Sequence, residues 1–371
     1  MKLHHDNAAC AWPPFERSLV INALGVVHNP NRPPAAARDS ERMAYGDSAA
    51  WADARAIADA RAAGLNAVNV TLGHVAGSDE PFEATVRDIA AWDAHLRLHA
   101  PALRKVLDGA DLLAAKAQGQ LGVIYGFQNS EMLGNDLSRV RLFAQLGVRV
   151  LQLTYNGRNR VGDGATVPQD QGLSEFGRAA VHELQAQGLL VDLSHSSTQT
   201  CLDALAQAQQ PLAITHTGCR ALMDHPRNKS DAELRLLAER GGVVGIYAMP
   251  YLRAKGQPMA ADLIDHIDHA LHICGEDHVG LGTDGGTTLH DDPEAQRRAH
   301  AADVAMRRQL GIAAPGESAD VVLGLPDLEG PQQYRQLAVL LAARGYGDAR
   351  IAKILGGNFQ RLMSQAWACA A

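Results

Sequence analysis

The chain has 371 residues, 46% of them hydrophobic, 20% charged, and a formal net charge of −7. That is enough for one large barrel or two ordinary domains, and with no basic stripe or Lys/Arg run it argues against a nucleic-acid partner. No stretch approaches the ~20 apolar residues that span a bilayer, and the opening MKLHHDNAACAWPPF lacks the apolar core of a signal peptide. Five cysteines (10, 201, 219, 274 and 369) without paired spacing read as reduced thiols, which together point to a cytoplasmic protein.

Strand-like runs alternate with helical patterns along the chain. The runs lie at 18–26, 66–73, 121–129, 148–156, 189–196, 211–218, 242–250 and 278–286. Each is short and rich in Val, Ile and Leu, as expected of strands covered on both faces. Amphipathic helical patterns occupy 47–64, 82–100, 137–147, 174–188 and 230–242. Ser174 and Ser230 stand at N-cap positions, while Gly147, Gly188 and Gly241 stand where helices end. Eight such units predict an α/β fold, a TIM-type (β/α)8 barrel forming one domain over 1–371. An open doubly wound sheet is the competitor, but the turn after the first strand, NALGVVHNPN, lacks a glycine-rich phosphate pattern. The polar segment 287–333 reads as an insertion over the barrel mouth, and 334–371 as two C-terminal helices. His266, His269 and His272 fall on one helical pattern and read as a helix face rather than as ligands.

A parallel barrel gathers the carboxyl ends of its strands at one face, where active sites lie. The polar residues ending the runs are Asn22, Gln128, Asn129, Tyr155, Asn156, His195, His216 and Asp284. Two imidazoles on successive strands and a carboxylate form a candidate metal or proton-transfer site. Arg227, in HPRNKSDAEL, is placed to clamp a carboxylate, or else to make a loop or surface ion pair. Gln128 and Asn129 could instead satisfy loop amides, and Tyr155 could be a packed aromatic. Asp192 reads as structural, and His28 and His74 as loop histidines.

At these residues the chain resembles the membrane dipeptidase (renal dipeptidase, peptidase M19) family of amidohydrolase-like barrels. The matching stretches are LGVRVLQLTYNGRN, GLSEFGRAAVHELQAQGLLVDLSHSS, LAITHTGCRAL, HPRNKSDAELRLLAERGGVVGI and HVGLGTDGG. The resemblance implies a barrel, usually with two zinc ions, that cleaves dipeptides or related amides. His195 and His216 match the two histidine ligands of one zinc, Asp284 the acid that handles the proton, and Arg227 the arginine for the substrate carboxylate. Tyr155 stands where many members have a histidine that polarises the scissile carbonyl, and Gln128 where they have a bridging glutamate. Leu24 and Val26 align with the His-x-Asp pair of the other zinc.

Two cations ~3.5–4 Å apart need anionic ligands, and neither glutamine nor an aliphatic side chain supplies one. The expectation is therefore at most one Zn²⁺, on His195, His216 and Asp284, with Gln128 or water, or none. The expected function is a dipeptidase-like hydrolase of a small amide bearing a free carboxylate. Asp284 and Tyr155 are then catalytic, with Arg227, Asn156 and Gln128 on the substrate. The alternatives are a metal-free pseudoenzyme or binding protein for a small carboxylate, and a different C–N bond cleavage on a modified amino acid. The family makes a homodimer plausible.

Overall fold

The computed structural model describes residues 12–32 and 52–368. Cys10, Cys369 and the start of the helical pattern at 47–64 lie outside them. All eight expected runs hold a strand, each shorter than its apolar run. They are β1 (Ile21–Asn22), β2 (Ala67–Thr71), β4 (Leu121–Phe127), β5 (Val148–Gln152), β6 (Leu190–Asp192), β7 (Ala213–Thr217), β8 (Val243–Ile246) and β9 (Val279–Leu281). All pair in parallel in that order. The ring closes where Ala23 N–H donates to Leu281 O (2.9 Å) and Asp284 N–H to Leu24 O (2.9 Å). The fold is a TIM-type barrel.

A ninth strand, β3 (Leu103–Lys105), was not expected from sequence. It pairs with the first residues of β4 on the side where β5 pairs with the last ones. Its sequence is LRK, and only Leu103 is buried, so no apolar run marks it.

The surrounding helices are α1 (Ala54–Ala62), α2 (Pro81–Leu98), α3 (Gly109–Ala117), α4 (Ser138–Gln145), α5 (Glu175–Ala186), α6 (Thr198–Gln207), α7 (Asp231–Glu239) and α8 (Ala260–Cys274). Ser174 caps α5 by accepting from Gly177 N–H. Ser230 and Glu233 form a capping box on α7. Gly147, Gly188 and Gly241 take the positive φ that ends α4, α5 and α7. After β9 the inserted segment carries one helix, α9 (Pro293–Gln309). The expected pair of C-terminal helices is three pieces: α10 (Gln333–Ala343), α11 (Asp348–Ala352) and α12 (Asn358–Trp367), with a wide turn over Lys353–Gly357 between the last two.

α12 plugs the bottom of the barrel. Phe359, Leu362, Met363 and Trp367 pack with Ile21, Ala67, Ile124, Val150, Leu190, Ala213 and Val243. Two residues further along four of these strands, one step of the strand period, the buried side chains become polar: Asn69, Gln152, Asp192 and Thr215. Glycines admit the neighbouring strands to this layer. A Cβ on Gly245 would lie 2.0 Å from Thr215 O, and one on Gly282 1.8 Å from the same atom. The strand interiors thus run from an apolar plug through a polar layer to the mouth.

Because Phe359 is fully buried in that plug, Phe359→Ala is expected to cost about 3–5 kcal/mol in urea unfolding. A loss below about 1 kcal/mol would mean the plug does not pack as described.

Candidate active site

His195 and His216 meet at the mouth. Their Nε2 atoms are 3.0 Å apart and both residues are buried. The far side of each ring fixes its tautomer. Thr215 Oγ1 donates to Asp192 Oδ2 (2.6 Å) and therefore accepts from His216 Nδ1–H (2.9 Å). Asn156 Nδ2 donates to Ile312 O (2.7 Å), so its Oδ1 accepts from His195 Nδ1–H (2.7 Å). Both Nε2 atoms are left with lone pairs, and these point at each other. Burial, reinforced by the Arg227 charge, holds both imidazoles well below the ordinary histidine pKa, so both are neutral.

Asp192 anchors this arrangement from the polar layer. Its Oδ1 accepts from Ser194 N–H (3.0 Å), Ser194 Oγ (2.5 Å) and Thr215 N–H (2.9 Å). Burial pushes its pKa up, and these donors pull against that shift. Ser194 Oγ in turn accepts from His216 N–H (3.0 Å). The structural reading of Asp192 thus has a functional consequence, since it sets the orientation of His216 through Thr215.

Asp284 follows β9 and has φ +58°, the one positive φ outside glycine among the described residues. Such a conformation is uncommon for aspartate and costs backbone energy. Burial pushes its carboxyl up to about 6, against the opposing charges of Arg227 and Arg307. Arg227 is 2% exposed. Its Nη1 donates to Ser194 O (2.5 Å) and its backbone N–H to His225 Nδ1 (3.1 Å). It makes no salt bridge among the described residues.

The remaining expected residues divide. The Tyr155 ring stacks on His195, with centroids 4.2 Å apart and planes 19° apart. Asn156, expected to touch substrate, has both ends of its amide engaged by His195 and Ile312, which makes it a positioning residue for His195. Gln128 is buried at the end of β4, where its backbone O accepts from Gln152 Nε2 (2.5 Å). Asn129 holds loops together through Val75 O (3.0 Å) and Asn159 Nδ2 (2.9 Å). Glu131 is exposed. His28 is half-buried and held down to about 4, chiefly by desolvation and also by His290.

The two-zinc centre implied by the resemblance does not fit this chain. Leu24 is buried carbon and its O is engaged by Asp284 N–H; Val26 is aliphatic and half-exposed. Among the described residues no three His, Cys, Asp or Glu side chains are grouped to hold one ion. This corrects the expectation that Asp284 completes a three-ligand set with the histidines. The imidazole pair on its own does fit a single cation. Two nitrogens ~2.0–2.1 Å from a tetrahedral ion lie ~3.3 Å apart, close to the spacing found here.

Sequence reasoning missed the contribution of the insertion. Arg307 on α9 donates to Tyr155 Oη (3.1 Å) and forks onto Glu317, Nε to Oε2 at 2.9 Å and Nη2 to Oε1 at 2.8 Å. Neither residue stands out in a polar segment with many charges. His225 and Lys229 were also passed over, although they flank Arg227. His225 Nε2 donates to Pro315 O (2.8 Å), and Lys229 pairs with Glu233 in a fully buried bridge (3.5 Å) while donating to Ser196 O (2.5 Å).

No described helix is long and apolar enough to cross a membrane. Residues 26–294 match the family model for membrane dipeptidase (peptidase family M19). A dipeptidase, tcpJ, of Claviceps purpurea (strain 20.1) is 30% identical over 298 residues, covering 78% of this chain and 62% of its own length. An uncharacterized dipeptidase of Schizosaccharomyces pombe is 34% identical over 190 residues, 48% of this chain and 45% of its own. The chain thus spans between about half and two thirds of these relatives. A solved amidohydrolase from Pseudomonas aeruginosa superposes with a TM-score of 0.78 at 28% identity, over 96% of this chain and 98% of that one. With the barrel and the paired histidines in place, the match over residues 26–294 shows that the chain belongs to the membrane dipeptidase family, peptidase family M19.

Proposed function

We propose that the chain hydrolyses a small amide or dipeptide carrying a free carboxylate. The observation that carries this reading is Asp284: a carboxyl tuned to about 6, in a strained backbone, in the same mouth as Arg227 and two neutral imidazoles. A general base works best when its pKa lies near the operating pH.

Arg227 is a buried guanidinium without a carboxylate partner among the described residues, suited to hold the substrate's carboxylate through a two-pronged pair. That anchor places the amide carbonyl near the mouth's polar groups. Asp284 takes a proton from water as its oxygen attacks the carbonyl carbon, then delivers that proton to the leaving nitrogen. Tyr155 donates its phenol hydrogen to the carbonyl oxygen as negative charge develops there. His195 and His216 would hold one divalent cation, which supplies Lewis acidity when bound. Asn156 and Thr215 keep both imidazoles in the tautomer that presents Nε2.

A second reading rests on the other half of the mouth. Leu24, Val26 and Gln128 supply no charge where the family places three ionisable ligands, which favours a protein that binds a small carboxylate without cleaving it. Zinc analysis of the purified protein together with a dipeptide panel separates the two. Zinc with turnover supports the hydrolase; carboxylate binding with neither supports the binding protein. Turnover of modified amino acids but of no dipeptide would point to a different C–N bond.

If Asp284 is the base, kcat/KM rises with pH through about 6, because the carboxyl must lose its proton to act. Asp284→Asn should lower kcat by about 10²–10⁴-fold and remove that limb while leaving cation binding intact. A limb that persists in the variant would assign it to another group.

His195→Ala should abolish Zn²⁺ binding and turnover together. Thr215→Val and Asn156→Leu, which remove the bonds to Nδ1 and leave Nε2 of each histidine in place, should each weaken Zn²⁺ about 10–100-fold in calorimetry. Unchanged affinity in both would mean that the tautomers are not held in this way.

Arg227→Ala should raise KM for substrates with a free carboxylate and leave KM for their C-terminal amides unchanged. Equal effects on the two would contradict the anchoring role.

A further inference from the structure

We propose that Arg307, brought into the mouth by α9, is a positioning residue that aims the Tyr155 hydroxyl only while the segment 310–317 is seated on the barrel. This rests on the hydrolase reading, in which Tyr155 donates to the developing oxyanion.

The bonds define the arrangement. Tyr155 Oη accepts from Arg307 Nη1 at 3.1 Å, which leaves the phenol hydrogen to be given elsewhere. The ring itself cannot swing freely, because one face stacks on His195 and it packs with Val75 and Ile312. A donor hydrogen-bonded to a cationic guanidinium is polarised and becomes a stronger donor in turn. Where the family has an imidazole, this chain therefore has a phenol whose orientation depends on a residue from outside the barrel.

Arg307 is itself held by the segment that follows it. Both its remaining prongs go to Glu317, and the two side chains are only 13% and 8% exposed. Glu317 Oε1 also accepts from Tyr251 Oη (2.8 Å) and Ala314 N–H (2.8 Å). The segment is fastened to the rim at two further points, Asn156 Nδ2 to Ile312 O and His225 Nε2 to Pro315 O. Each fastening residue neighbours a group assigned to the reaction: Asn156 holds His195, and His225 holds the Arg227 backbone. Lifting 310–317 would withdraw Glu317 from Arg307, and Arg307 from Tyr155. The oxyanion donor is complete only with the segment in place, so the chemistry waits on closure.

The test uses the full chain as purified, with kcat and KM on a dipeptide panel and amide hydrogen exchange over 310–317. Tyr155→Phe should lower kcat by about 10²-fold, and Arg307→Met by about tenfold or more, with KM changed less than about threefold. The double variant should be no slower than Tyr155→Phe, because the two act as one unit. Exchange over 310–317 should rise in Arg307→Met and Glu317→Gln but not in Tyr155→Phe. An Arg307→Met protein with unchanged kcat, or losses that multiply in the double variant, overturns the inference. A wild-type protein that cleaves neither dipeptides nor other small amides overturns the hydrolase reading instead. Exchange then decides the inference: unchanged protection in Arg307→Met rejects it, and raised exchange sustains it.

Discussion

Two imidazole lone pairs 3.0 Å apart do not attract each other. Left to themselves the rings would turn a Nδ1–H or Nε2–H between them and form an ordinary hydrogen bond. They are prevented by what binds their far sides, the Asp192–Thr215 pair behind His216 and the Asn156 amide behind His195. Much of the barrel's interior serves that constraint. Asp192 and Thr215 belong to the polar layer, and Gly245 and Gly282 let the neighbouring backbone approach Thr215 closely. A buried carboxylate with four hydrogen bonds is costly unless its donors are rigid. Here they are the backbone and hydroxyls of Thr215 in β7 and of Ser194, two residues past β6.

The charge pattern around the imidazoles follows the same logic. Lys229 is neutralised by Glu233 and Arg307 by Glu317, both in buried or nearly buried bridges. Arg227 has no such partner among the described residues. Of the three cations near the histidines, it is therefore the one whose field is left to an incoming anion. Its positive charge also lowers the pKa of both histidines and opposes the burial that raises Asp284. Binding of a carboxylate to Arg227 would offset that charge and so move Asp284 further upward. In the proposed reaction, substrate binding and the strength of the base would be coupled through one guanidinium.

What the sequence disclosed and what it hid differ for physical reasons. His195, His216 and Asp284 each close an apolar run, and a strand buried on both faces has few other reasons to end in such a residue at the mouth. That strand ends gather at one mouth follows from parallel topology, and the meeting of His195 with His216 is an instance of it. The barrel was legible from the same runs, whereas β3 was not, because its pairing to β4 needs backbone groups and not apolar side chains. The role of Asn156 depends on a residue 39 positions away, and that of Arg307 on one 152 positions away. Neither separation leaves a periodic trace. The grouping of ligands was hidden as well: no third His, Cys, Asp or Glu joins the two histidines among the described residues, and the sequence GTDGG does not specify the positive φ of Asp284.

The mouth is divided by chemistry as well as by topology. From β5 to β9 it carries a phenol, two imidazoles, a guanidinium and a carboxyl. From β1 to β4 it carries Leu24, Val26 and the neutral Gln128. The hydrogen bonds that support the two histidines lie on the first of these sides. Asp192, Thr215 and Asn156 carry an energetic burden that would be relieved by apolar replacements, since a buried polar network is favourable only while every member is satisfied. Together they fix how the rings of His195 and His216 are turned. The covering segment strengthens the argument, because it fastens to Asn156 and Tyr155, on the polar side. The proposed closure therefore acts on the half of the mouth that carries the titratable groups.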